Sequence, residues 1–248
     1  MASDLKSKAY QYVREKILTE QWPEGRYLSM VQVAKSVDMS YTPVREAIIQ
    51  LESEGMVEKI PRVGVRPRRV DREEVKRFFE MRLYMESACS ELAIERITVE
   101  EIRLLEGNLQ EHQKTLERIK DAWQKKAQEN RHIYYMDGPE ALTLHQLNTE
   151  FHGTLMKSSR NPYMMEIVDK MNMMTRVLRI RAMLPGTSYT DQLELDYRYH
   201  TQIFQALAQR DPAEAVKWTR KHVSDAGEYH LKVYDWLKAV NQLGSFKI

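Results

Sequence analysis

Apolar residues return at helical spacing from the start of the chain. Leu5, Ala9, Val13 and Ile17 fall on one stripe and predict an amphipathic helix. Trp22-Pro23-Glu24-Gly25 is turn chemistry and should end it. Ser29 followed three residues later by Gln32 has the pattern of a capping box, in which hydroxyl and amide satisfy each other's exposed backbone N–H. The short helix it opens carries Val33, Ala34 and Val37, and Asp38-Met39 makes the next turn. A third helix is predicted with Thr42 as its cap and Pro43 at its first position, where a missing N–H costs nothing. Val44, Ala47, Ile48 and Leu51 are its apolar stripe, and Gly55 suits a C-terminal stop. The period then changes. Met56 to Arg66 reads as two short strands joined by a turn at Pro61-Arg62-Val63-Gly64.

Beyond this point no strand-like alternation persists and no repeat is evident. Asp71 with Glu74 three later starts a helix, and breaks fall near Thr98, Gly138-Pro139, Asn161-Pro162, Pro185-Gly186 and Asp211-Pro212. Six or seven helices are expected. Nine glycines and eight prolines in 248 residues leave room for long ones. Arg66-Pro67-Arg68-Arg69-Val70 is a basic, proline-marked connection, so the expected domains are residues 1–67 and 68–248. The fold class is mostly α: an N-terminal winged helix-turn-helix with a small β wing, then an all-α bundle. Residues 119–142, with Trp123, Tyr134 and Tyr135, read as an extended helix hairpin or loop with no evident function.

Charge sharpens the picture through its distribution. The net charge of +2 does not announce nucleic acid. Lys59, Arg62, Arg66, Arg68, Arg69, Arg72 and Lys76, however, cluster around the predicted wing and connection, the usual electrostatic footprint on phosphates. Arg45 lies off the apolar stripe near the start of the third helix, where it can reach guanine or phosphate and where exposed backbone N–H groups favour phosphate. Thr42-Pro43 alone would mean only a capped helix; three helices followed by a basic wing point to double-stranded DNA. The single cysteine, Cys89, excludes an internal disulfide and fits a reducing cytosol. No apolar run approaches the roughly 20 residues needed to span a bilayer, and Met1-Ala2-Ser3-Asp4 is not signal-peptide chemistry. A soluble, cytoplasmic protein is expected.

The run Ser40-Tyr41-Thr42-Pro43-Val44-Arg45-Glu46-Ala47-Ile48, with Leu51, Glu54-Gly55-Met56 and Gly64, resembles the reading head of GntR family transcription regulators. The resemblance covers roughly residues 5 to 67. It implies DNA contacts from Ser40, Tyr41, Thr42, Pro43, Arg45, Arg62 and Gly64. Tyr41 stands where the family usually has a DNA-contacting arginine, and Met30-Val31-Gln32 lacks the basic residue many members carry there. Phe78 to Glu86, continuing into Ser90-Glu91-Leu92-Ala93, resembles the start of the FadR-type (FCD) C-terminal domain.

Histidines supply the candidate chemistry of the second domain. Asn148 and His152 are four apart and share a helix face. His200 and His222 each lie eleven residues from Asp211, so the equal arms of an antiparallel hairpin bring them level. His152 would join them from a third helix. Three imidazoles and one oxygen suit a divalent transition metal such as zinc, nickel or manganese. The pattern resembles the metal-binding branch of FadR-type domains, in which D-x-x-x-H precedes a histidine on each of two later helices. The resemblance assigns His152, His200 and His222 as ligands, with Asn148 replacing the usual aspartate and removing one negative charge. His112, His132, His145 and His230 are expected at the surface without a role. Met164, Met165, Met171, Met173 and Met174 read as core or dimer packing. Arg82, Arg176 and Arg179 are candidates to pair with an effector carboxylate.

These features together predict a DNA-binding repressor. Its homodimer would meet a pseudo-palindromic operator, and its operator affinity would respond to a small organic acid bound near the metal. A FadR-like regulator with a metal-free effector such as acyl-CoA is the alternative. A metal-dependent hydrolase would need an open position on such a site, but no nucleophile–base constellation accompanies the histidines, so the chain is not expected to be an enzyme.

Overall fold

The computed structural model describes residues 2–18, 27–53, 56–68, 71–128, 139–167 and 189–242. They divide between Asp71 and Arg72 into two compact units.

The first unit contains α1 (Ala2–Leu18), α2 (Met30–Ser36), α3 (Tyr41–Ser53), β1 (Val57–Ile60) and β2 (Gly64–Pro67). Ala9 and Val13 of α1, Val33 and Ala34 of α2, and Val44, Ala47, Ile48 and Leu51 of α3 close one core with Met56, Val57 and Val65. Leu5 stays exposed, so the buried stripe of α1 begins a turn later than its sequence pattern suggests. The Trp22–Gly25 turn, Gly55 and the side chain of Ile17 lie outside the described residues. The capping box forms as expected: Ser29 N–H donates to Gln32 Oε1 at 2.7 Å, and Gln32 N–H donates to Ser29 Oγ at 3.2 Å. Val37 caps the other end of α2, and Asp38 turns the chain at φ 50°.

α3 begins at Tyr41, which corrects the expected cap. Thr42 and Pro43 lie inside the first turn, where Pro43 still costs nothing because first-turn N–H groups have no helical partner. The strands pair antiparallel with Val57 opposite Pro67 and Ile60 opposite Gly64. A feature without any sequence pattern joins them: Leu28 and Val65 exchange two backbone hydrogen bonds of 2.9 Å, adding a one-residue third edge to the wing.

The second unit contains α4 (Arg72–Arg96), α5 (Val99–Gln128), α6 (Pro139–Ser158), α7 (Tyr189–Ala208) and α8 (Pro212–Gln242). Residues 162–167 are helical as well. α4 packs along α8, α5 against both α6 and α7, and α7 against α8. Phe151, Leu155, Ile203, Leu207, Leu105 and Ala93 are central to the main core, and Leu116, Ile119, Leu144, Leu147 and Leu193 form a second cluster. Each break with a described boundary has a polar device. Thr98 and Glu101 cap α5 reciprocally, with N–H to oxygen distances of 3.0 and 3.2 Å. Asp211 Oδ1 accepts the Glu214 N–H at 3.0 Å, with Pro212 as the first residue of α8. Arg210 reaches back to the carbonyls of Ile94 and Ile97 at the end of α4. Gly138 and the Pro185-Gly186 break lie outside the described residues. No helix among the described residues is long and apolar enough to cross a membrane.

Candidate metal centre and nucleic-acid interface

The first unit presents a polar edge at the start of α3. Ser40, Tyr41, Thr42 and Arg45 are exposed there, Tyr41 by 49%. Pro43 does not share that edge. It is buried with Val44 and Ala47, so it shapes the head from inside and cannot serve as the expected DNA contact. At the wing tip Arg62 is exposed and held at φ 67°. Gly64 has φ 141°, and a Cβ there would lie 2.5 Å from the Leu28 carbonyl oxygen. The glycine is therefore required by the backbone of its own unit, a reason different from the expected approach to DNA. Arg66 pairs with Glu58 across the strands and lies over the Tyr27 ring at 4.7 Å, so its charge is partly engaged within the wing.

In the second unit α6, α7 and α8 each bring one histidine to a common point. His152, His200 and His222 are all buried. His152 Nε2 lies 3.1 Å from His222 Nε2 and 3.2 Å from His200 Nε2. The rings of His152 and His222 stack at 8°, and His200 meets them at 79° and 77°. These distances test whether a metal fits. Two nitrogens about 2.0–2.1 Å from one ion are separated by about 2.9 Å at a right angle and about 3.4 Å at the tetrahedral angle. Both separations fall between, and all three ligand atoms lie within 4.8 Å of one another, so the set could hold a divalent ion between three imidazoles. Asn148 is buried on α6 one turn before His152, on the same helix face.

A second layer surrounds the imidazoles. Glu86 of α4 is fully buried and places Oε2 2.7 Å from His152 Nδ1. Its Oε1 accepts from Arg82 Nε at 2.6 Å. Burial alone would raise the Glu86 carboxyl; the Arg82 guanidinium and then His152 outweigh it and hold the group well below the usual carboxylate range. Asp196 Oδ1 lies 4.0 Å from His222 Nδ1 and accepts from Gln192 Nε2 at 3.3 Å. The Tyr199 ring is 5.5 Å from that of His222, and its hydroxyl donates to Asp225.

Several expectations change here. Arg82 is buried over the Phe78 and Phe79 rings and tied to Glu86, an internal carboxylate in place of the expected effector carboxylate. His112 is not at the surface: it is buried on α5 with its ring edge-on to His200 at 5.7 Å and Tyr197 at 5.5 Å. His145 and His230 are half-buried, and His230 stacks on Phe79 at 5.1 Å. Met164 Sδ lies 3.4 Å from Cys89 Sγ. Arg176, Arg179, His132, Met171, Met173 and Met174 lie outside the described residues. Glu86 was missed because an arginine four residues before a glutamate reads as an ordinary surface ion pair. The one available signal was its place in the phenylalanine-rich opening of α4.

Comparison with known proteins agrees with both halves. The FCD domain profile matches residues 77–225, and that of the bacterial regulatory proteins of the gntR family matches residues 5–66. The HTH-type transcriptional regulator YdhC of Bacillus subtilis (strain 168) is 24% identical over 225 residues, covering 90% of this chain and 89% of its own. The HTH-type transcriptional repressor RspR of Escherichia coli (strain K12) is 23% identical over 219 residues, covering 88% of this chain and 86% of its own. The E. coli McbR/YncC structure aligns over 93% of this chain and 98% of its own, with a TM-score of 0.62 at 16% identity. The structure of Lar, which controls expression of the Listeria monocytogenes agr system, aligns over 92% and 96% with a TM-score of 0.64 at 16% identity. At these identities the structural likeness is one of fold. With a capped three-helix head and wing matched by one family profile and a helical domain matched by the other, the chain belongs to the gntR family of bacterial regulatory proteins, as a DNA-binding transcription regulator with an FCD domain.

Proposed function

We propose that this regulator is a cytoplasmic, metal-dependent sensor and a repressor. A small organic acid binds at the His152–His200–His222 centre and alters the affinity of a homodimer for its operator. The observation that carries the reading is the convergence of three buried imidazoles from three helices, with Nε2 separations of 3.1 and 3.2 Å. Zinc, nickel and manganese suit this donor set. A divalent ion held there would supply positive charge and open positions for a carboxylate oxygen. The chain's own residues favour that outcome: the three histidines are neutral ligands, Asn148 adds an amide where a charged ligand would cancel part of the ion, and Glu86 is already paired with Arg82. At the output end, the exposure of Arg45 and Arg62, with Ser40, Tyr41 and Thr42 also exposed beside Arg45, supports their contact with DNA. Repression is supported by the likeness to RspR, itself named a repressor.

Metal analysis of untagged protein beside a His200→Ala/His222→Ala variant tests the centre. The expected result is one divalent ion per chain in the first and none in the second. Equal and negligible metal in both would leave a metal-free effector as the working reading. Binding to the protein's own upstream DNA, with and without a panel of organic acids, tests the switch. The reading fails if that DNA shows no advantage over random duplex in any condition.

A further inference from the structure

We infer that Glu86 is a positioning residue of the metal centre: it faces the Nδ1 atom of His152, keeps the ring proton there, and so turns the Nε2 lone pair inward toward the other two imidazoles. The inference rests on the metal reading above. His152 is the hub of the triad, because its Nε2 lies close to both other Nε2 atoms. Its tautomer therefore decides whether three lone pairs can converge. A carboxylate can only accept. With Glu86 Oε2 2.7 Å from His152 Nδ1, a neutral ring that carried its proton on Nε2 would set a bare nitrogen against a bare oxygen and point the proton into the centre. The Nδ1–H tautomer removes both conflicts through a 2.7 Å charge contact whose alignment falls short of a formed hydrogen bond.

The rest of the environment serves the same end. Among the described residues Glu86 is the only buried carboxylate. Arg82 fixes its other oxygen at 2.6 Å and is itself packed over Phe78 and Phe79, so the carboxylate cannot swing away. A carboxylate accepting from a ligating imidazole makes the opposite nitrogen a stronger donor, and losing such a partner typically lowers metal affinity about 10–100-fold.

Three measurements test this. Long-range ¹H–¹⁵N spectroscopy on histidine-labelled, metal-free wild type should find the His152 proton on Nδ1; a proton on Nε2 overturns the inference. Zinc affinity by chelator competition should fall about 10–100-fold in Glu86→Gln, and the visible bands of the cobalt-loaded protein should shift as His152 becomes a weaker donor. Because Glu86→Gln leaves Arg82 buried without its partner, Arg82→Gln/Glu86→Gln is measured beside it; this neutral pair should fold and show the same loss. A folded variant that binds zinc as tightly as wild type overturns the inference while leaving the metal reading intact. Wild type that takes up no metal removes both.

Discussion

Gly64 is held against the backbone of Leu28: a Cβ at residue 64 would sit 2.5 Å from the Leu28 carbonyl oxygen and 2.9 Å from its carbonyl carbon. The obstacle is main chain, which cannot rotate aside as a side chain would. Gly64 also has φ 141°, where an L side chain is strained whatever the space. Gly64→Ala should therefore break the Leu28–Val65 bridge and destabilise the reading head by about 1–3 kcal/mol. Thermal unfolding of the full chain should show an earlier transition, and DNA binding should weaken with the displaced wing. An unchanged unfolding profile would refute the steric argument.

Arg45 and Arg62 are both exposed but differ in backbone state. Arg45→Ala should weaken binding to the protein's upstream DNA by about 1–3 kcal/mol. Its unfolding midpoint should stay within the small range of surface substitutions. Arg62 occupies the left-handed region at φ 67°. Arg62→Gly should relieve about 1 kcal/mol of strain while removing a cation, so stability rises as affinity falls. If the Arg62 contact is to phosphate, the slope of log affinity against log salt should drop by about 1. Titrations at several salt concentrations separate the two arginines.

Removing metal should lower stability, because an ion that binds only the folded chain stabilises it by about 2.7 kcal/mol at a hundredfold excess over its Kd. Chelation should lower the melting temperature of wild type, and zinc should restore it. The same treatment should leave His200→Ala/His222→Ala unmoved. A chelator-insensitive wild type would contradict the expected stabilisation.

Asn148→Asp should raise metal affinity on the order of tenfold or more, since each added ligand charge tightens a cation site. The same charge should weaken any anionic effector, because the loaded centre becomes less positive. Chelator competition reads the first effect and calorimetry with organic acids the second. The charge argument fails if both affinities move in the same direction.

Glu101 gives the pH dependence its sign. Burial alone would raise its carboxyl, but the Thr98 backbone N–H and the Arg160 guanidinium outweigh it and hold it below the ordinary carboxylate value of 4.5. A depressed folded value means the contribution is fully present above the unfolded value and is lost as pH falls through the folded one. Glu101→Gln should cost about 0.5 kcal/mol near neutrality, because glutamine can still accept the Thr98 N–H, as Gln32 does from Ser29, and only the charge is lost. Because Arg160 is half exposed, the ion pair itself adds little. The gap between wild type and variant in urea midpoint should close as the pH falls below the ordinary carboxylate value of 4.5 and through the lower folded one. A gap that persists at low pH would assign the effect to packing.

Some of this site follows from chain-local rules. Ser29 and Gln32 form their capping box because the two partners are three residues apart on one helix turn. The equal arms from Asp211 to His200 and His222 are likewise a matter of counting, and the rings do lie 4.8 Å apart, centre to centre. The wing was legible because its residues change period between Met56 and Arg66. The start of α3 was expected two residues too late, at Pro43 and not at Tyr41, because competing caps at a helix start differ by only fractions of a kcal/mol.

Element order, the two-part organisation of family motifs and the choice of histidines that could meet all follow from patterns local to the chain. Tertiary structure alone decided what surrounds them. His112 carries no local mark of burial and Glu86 only its place after Phe78 and Phe79; α4 and α5 bury them by packing against helices far along the chain. Pro43 turned inward and Gly64 met Leu28 for the same reason. Helix periodicity and capping depend on residues a few positions apart, whereas burial depends on which distant face arrives opposite, and on that depend both the charge of Glu86 and the direction in which His152 offers its lone pair.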